Sequence, residues 1–290
     1  MKKMSLVILA TAAALALAST AGARTMIQNK GSDTLVNVAQ SLAEEYQKIK
    51  PEVAIAVTGG GTGTGIAALL NGTVDIANAS RALEEKERKL AEQKGIKPKE
   101  LTIGFDALAV FVHKDNPLKE ITLEQLARMY GDGGDITNWK QLGVEVPGCQ
   151  GQKIILISRQ NNSGTYEYFR EAVLHKKDFV LGTRDMHGSK DVVDLVGKTA
   201  CAIGYSGLAY ADATTRMLNV KKDDKAPAVT PTMETAVDKS YPIARPLFMY
   251  TNGEPTGDIK AYMDWIMSKD GQCLVVKKGY APAQKVECGK

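Results

Sequence analysis

Three short segments of this 290-residue chain bring small hydroxyl residues and glycine together where a strand gives way to a helix. They are Gly31-Ser32-Asp33-Thr34, the run Gly59-Gly60-Gly61-Thr62-Gly63-Thr64-Gly65, and Ser163-Gly164-Thr165 with Arg159 four residues earlier. A helix N-terminus leaves backbone N–H groups unpaired and carries partial positive charge, so it suits an anion. Glycine lets backbone approach an oxyanion closely. Serine and threonine add donors without charge, and arginine adds a planar, two-pronged donor matched to phosphate-like geometry. Each segment alone is an ordinary helix cap. Their combination points to a site that holds a tetrahedral oxyanion.

Other chemistries find little support. The glycine run lacks the Gly-Lys-Ser/Thr ending of a nucleotide loop. No serine has a convincing histidine partner, and Gly204-Tyr205-Ser206-Gly207 places its last glycine one position too early for a nucleophile elbow. His113, His175 and His187 are scattered and there is no C-x-x-C pair, so no metal site and no cofactor are expected. The reading is a binding protein with no catalytic residues. No basic cluster with interleaved aromatics suggests nucleic acid.

Elements that position these turns follow from periodicity. Val53, Ile55 and Val57 alternate as a strand, and Leu35, Val38, Ala39, Leu42 and Tyr46 recur at helical spacing before it. Strands are also expected around Ile27 and over 74–77, 105–113, 154–157, 202–205 and 243–250, with helices over 66–71, 121–130, 166–174 and 258–267. This alternation predicts an α/β fold with a largely parallel sheet. Glu84 to Glu100 reads as a solvated helix and loop. Pro246 places the 243–250 strand at an edge or a crossing.

Lys2 and Lys3, the apolar run Leu6–Ala18 and Ala21-Gly22-Ala23 read as a secretory signal peptide over residues 1–23. The mature chain then begins near Arg24 in an oxidising compartment, the periplasm. Losing Lys2 and Lys3 lowers the formal charge of +4 to about +2, which hardly constrains the partner. All four cysteines remain. Cys273 with Cys288 is the preferred disulfide, Cys149 with Cys201 follows by elimination, and buried free thiols are the alternative. The length favours two lobes, and no linker separates them, so one lobe is expected to be discontinuous. Lobe one covers 24–104 plus 246–290 and lobe two 105–245, with crossings near 104–107 and 240–246.

With these motifs, the chain resembles the phosphate-binding proteins of phosphate ABC transporters, within the class II periplasmic binding-protein fold. Further matches are Val74-Asp75-Ile76-Ala77-Asn78-Ala79-Ser80-Arg81, Asp106-Ala107-Leu108-Ala109-Val110 and Ile136-Thr137-Asn138-Trp139. The resemblance covers essentially the whole mature chain. It implies a monomer of two α/β lobes that close on inorganic phosphate and present it to membrane permease subunits. The implied ligands are Thr34, the backbone of Leu35, Thr62, Ser80, Arg81, Arg159, Ser163, Gly164 and Thr165, with Ser32 joining them. Better-known members carry an aspartate in place of Arg81, which accepts the proton of phosphate and repels sulfate. Asp33 is the substitute acceptor here. Otherwise two arginines hold the anion with less discrimination, or Arg81 pairs with the Glu84–Glu87 segment. Sulfate, molybdate or arsenate, and a phosphate-sensing role, are the alternatives on the same fold.

Overall fold

The computed structural model describes residues 25–289. The expected signal peptide lies outside the described residues.

Parallel pairing dominates the first sheet half. Thr25–Gly31 lies between Val53–Thr58 and Ile76–Ala79, parallel to both. The strand order continues through Ala244–Asn252, Pro98–His113, Ala202–Gly207, Ile155–Arg159 and Arg184–Met186. Helices Val36–Ile49, Thr62–Leu70 and Glu85–Gln93 connect the first strands, and Gly257–Ile266 and Lys269–Lys277 return late in the chain. This is a two-lobed mixed α/β architecture of the class II type.

One strand runs through both halves. Pro98–His113 is 16 residues long, and its first part pairs with Ala244–Asn252. From Leu108 onward it pairs instead with Ala202–Gly207. The polar start of this strand, Lys99 and Glu100, carries no apolar signal, so sequence periodicity finds only its later part. Pro246 sits opposite Phe105, while pairing with Ile76–Ala79 begins only at Phe248. The strand is interior, and proline is tolerated because a second neighbour is absent at that residue.

Apolar residues gather on both sides of this switch. One core joins Ile27, Leu35, Leu42 and Val53 to Leu247, Tyr262 and Val275. Ile66, Leu69, Ala77 and Tyr250 form a second. Beyond the switch, Trp139, Tyr130, Phe169 and Tyr205 anchor a third, and Ile157, Val192 and Val196 a fourth. Disulfides join Cys149 to Cys201 and Cys273 to Cys288.

Candidate functional site

Four helix starts converge between the two halves. Ser32 to Leu35 lead into helix Val36–Ile49, and the Ser32 amide is fixed by the Asn78 carbonyl at 2.9 Å. Gly60 and Gly61 take φ of +112° and +91°, which turns the chain into helix Thr62–Leu70. Ser163 caps helix Gly164–Ala172, its Oγ accepting from the Thr165 amide at 3.2 Å. The fourth is Ser189–Gly197, which begins after the short strand Arg184–Met186.

Their hydroxyls meet. Ser32 Oγ donates to Ser80 Oγ at 2.9 Å, and Ser80 Oγ lies 3.5 Å from Thr62 Oγ1. Thr34 Oγ1 is 2.9 Å from Thr165 Oγ1 and 3.5 Å from Ser189 Oγ. Gly164 lies against the same group. A Cβ there would stand 2.7 Å from Ser80 Oγ and closer still to Thr62 Oγ1. Ser32, Thr34, Thr62, Ser80, Ser163, Thr165 and Ser189 are all buried.

Two arginines flank the cluster. Arg159 Nη1 donates to Ser189 Oγ at 2.9 Å, and Nη2 donates to the His187 carbonyl at 2.7 Å and to Asp33 Oδ2 at 3.2 Å. Burial pushes the Arg159 guanidinium below its ordinary value, and Asp33 opposes that shift. Arg245 is wholly buried, with Nη2 on Asp106 Oδ2 at 2.8 Å. Burial pushes the Asp106 carboxyl up, while Arg245 pulls it down only in part. Each guanidinium therefore has a carboxylate partner, and the cluster presents neutral hydroxyls backed by local ion pairs.

The halves also touch through backbone. The Gly63 amide donates to the Asn162 carbonyl at 3.0 Å, and Asn162 Nδ2 donates to the Gly60 carbonyl at 3.1 Å. Tyr210 donates its hydroxyl to the Asp33 carbonyl at 2.7 Å.

Two expected ligands lie outside this arrangement. The Leu35 amide is engaged by the Ser32 carbonyl at 3.0 Å, inside its own turn, and the Leu35 side chain is core. The Arg81 guanidinium is taken up by its own segment: Nη1 donates to Glu87 and to the Ala82 carbonyl, Nη2 donates to Glu87 at 2.8 Å, and Nη2 lies 2.7 Å from Glu84. Burial lowers its pKa, but bonding to Glu87 and the charge of Glu84 raise it overall. Of the two readings of Arg81, the ion pair is the one present. Asp33 Oδ1 accepts from the Gly60 amide at 2.9 Å, so both of its oxygens already have donors.

The reading of motifs passed over Ser189, Arg245 and Asn162. Ser189 had a signal, since Gly188-Ser189 before Val192, Val193 and Val196 repeats the turn-to-helix pattern. Arg245 also had one, as a single cation between Ile243 and Leu247 in an apolar strand. Asp75, in the segment expected as a strand over 74–77, accepts from the Gln28 amide at 2.7 Å. Among the described residues no group of three or more His, Cys, Asp or Glu is placed to hold a metal.

Residues 18–270 match the model of the PBP superfamily domain. The phosphate-binding protein PstS of Pseudomonas aeruginosa is 36% identical over 267 residues, covering 88% of this chain and 82% of that protein. The chain belongs to this family of phosphate-binding proteins. Protein SphX of Synechococcus elongatus is 32% identical over 89% of this chain and 78% of its own length. Among solved structures, a phosphate ABC transporter substrate-binding protein of Clostridium perfringens with bound phosphate superposes with a TM-score of 0.79. It is 31% identical, covering 90% of this chain and all of that one. An ABC-type phosphate transport receptor from Vibrio cholerae gives a TM-score of 0.69 at 28% identity, over 88% of this chain and 99% of that one.

Proposed function

We propose that this protein captures inorganic phosphate between its two lobes outside the cytoplasm and delivers it to the permease subunits of an ABC importer. The observation that carries the reading is the meeting of Ser32, Thr34, Thr62 and Ser80 with Thr165 and Ser189 beside Arg159, all buried at one seam. The proposed ligands are Ser32, Thr34, Thr62, Ser80, Arg159, Ser163, Gly164 and Thr165, with Ser189 added. Lobe one is residues 24–104 with 246–290, and lobe two is 105–245. The chain works as a monomer in the periplasm after its leader is removed.

Mechanistically, hydroxyl–hydroxyl bonds at the seam are exchanged for bonds to an anion. Bonds to a charged acceptor are roughly twice as strong as neutral ones, so closure around the anion is favoured over closure without it. The Ser163–Thr165 and Thr62 helix starts contribute their dipoles. Arg159 adds a coulombic attraction tempered by Asp33. Hydroxyl and guanidinium donors hold an oxyanion, and the nearby His187 ring pairs with Gln160 Oε1 at 3.2 Å, which favours binding over hydrolysis.

Discrimination among oxyanions rests on the same geometry. Asp33 and Asp106 both face arginine, which leaves the proton of phosphate to be read by a lone pair that arginine does not fill. Asp33 is the acceptor we propose, through the second lone pairs of its oxygens. Delivery is tested by uptake of labelled phosphate in cells lacking this gene. Loss of high-affinity uptake, restored by the wild-type gene, supports transport; normal uptake would leave sensing as the role.

A further inference from the structure

Thr34 and Thr165 approach from different lobes, and one cation stands behind both. Arg245 lies at the start of strand Ala244–Asn252, where the chain crosses between lobes. Its Nη1 donates to Thr165 Oγ1 at 3.0 Å and to the Ser80 carbonyl at 3.3 Å. Nη2 donates to Thr34 Oγ1 at 3.4 Å. Nε and Nη2 are both fixed on Asp106 Oδ2, at 3.1 and 2.8 Å, while Asp106 Oδ1 accepts from the Leu208 amide at 3.1 Å. The guanidinium also stands over the Tyr168 ring, 5.6 Å from its centroid.

A guanidinium has only donors. Each hydroxyl it touches must accept there and turn its own hydrogen elsewhere. Thr34 Oγ1 and Thr165 Oγ1 are 2.9 Å apart, and only one hydrogen fits between them. The other hydroxyl hydrogen is directed away from both the guanidinium and its threonine neighbour.

We infer that Arg245 is a positioning residue for the anion: held by Asp106, it turns the Thr34 and Thr165 hydroxyls into oriented donors once the lobes meet. The inference rests on the phosphate reading given above. Because Asp106 balances its charge, Arg245 acts through a fixed dipole and through the threonines, with no net attraction of its own. Its place at the crossing ties hydroxyl orientation to lobe closure, since Thr34 and Thr165 stand on different lobes and an open form cannot hold both against it.

The test uses the mature protein and equilibrium dialysis with labelled inorganic phosphate. R245Q would leave Asp106 buried and unpaired, so D106N/R245Q is the principal variant and R245K its conservative companion. The double variant is expected to bind phosphate about 30- to 300-fold more weakly, the loss of oriented bonds to a charged acceptor. R245K should recover at least about tenfold of that loss, because an ammonium also only donates. In a T34V/T165V background the same Arg245 change should cost less than about threefold, since no hydroxyl remains to be oriented. Equal losses in both backgrounds would overturn the inference, as would a D106N/R245Q protein that binds within threefold of wild type. Should D106N/R245Q fail to fold, R245K decides: a loss in wild type that vanishes in T34V/T165V supports the inference, and an unchanged loss refutes it. Wild-type protein that binds no phosphate would instead sink the phosphate reading, and the inference with it.

Discussion

Gly164→Ala isolates closure from folding. Gly164 starts its helix with a negative φ, so alanine fits the backbone and is the better helix former. An added Cβ would nevertheless stand 2.7 Å from Ser80 Oγ, and closer to Thr62 Oγ1, on the opposite lobe. Restoring ordinary contact at 3.4 Å or more forces the lobes apart at the hydroxyl cluster. Bonds that must span the seam are then stretched beyond useful length. If two bonds to the charged anion are lost, at about 1.5–3 kcal/mol each, binding weakens by about 3–6 kcal/mol. That is roughly 10²- to 10⁴-fold in Kd. Calorimetric titration with phosphate reads the loss, and thermal unfolding without phosphate should show stability unchanged or slightly raised. Binding within about twofold of wild type would refute the argument that Gly164 is small because two lobes meet there.

Further expectations follow from the same geometry. Arg159→Met should weaken phosphate binding by about 2–5 kcal/mol by leaving the buried anion and Asp33 without their cation, measured by titration calorimetry. Arg81→Met should leave phosphate affinity within about threefold while lowering unfolding stability by about 3–5 kcal/mol, because it strips Glu87 of its buried partner; denaturant titration together with phosphate binding separates the two. Reduction of both disulfides should lower stability. The Cys149–Cys201 bridge, closing 52 residues, should contribute about 4 kcal/mol against about 3 kcal/mol for Cys273–Cys288, which closes 15. Unfolding of the single Cys-to-Ser pairs checks that ranking.

Local chemistry that needs only neighbours in sequence was legible. The glycine–hydroxyl turns, the helix periodicity after Ser32 and the apolar run into His113 all report short-range causes. Long-range pairing was not. Arg81 follows Ser80 directly and looks like a ligand beside one, yet Glu84 and Glu87 come round one helical turn to take its guanidinium. Glu87, read as part of a solvated tract, is buried for the same reason. Arg245 meets Thr34 across 211 residues and Asp106 across 139, distances over which no spacing rule operates. Ser189 obeyed the turn-to-helix rule but lacked the glycine density that drew attention to the other turns. Asp106, named from sequence as part of a matching motif, serves at the crossing by pairing with Arg245.

The measurement that tests the central claim most directly is calorimetric titration of the ligand-stripped mature protein with phosphate at pH 6 and pH 8, followed by sulfate as competitor. One-to-one phosphate binding that excess sulfate does not displace is the predicted result. Absence of phosphate binding by folded protein would contradict the account, and equal binding of sulfate would remove Asp33 as the group that reads the proton.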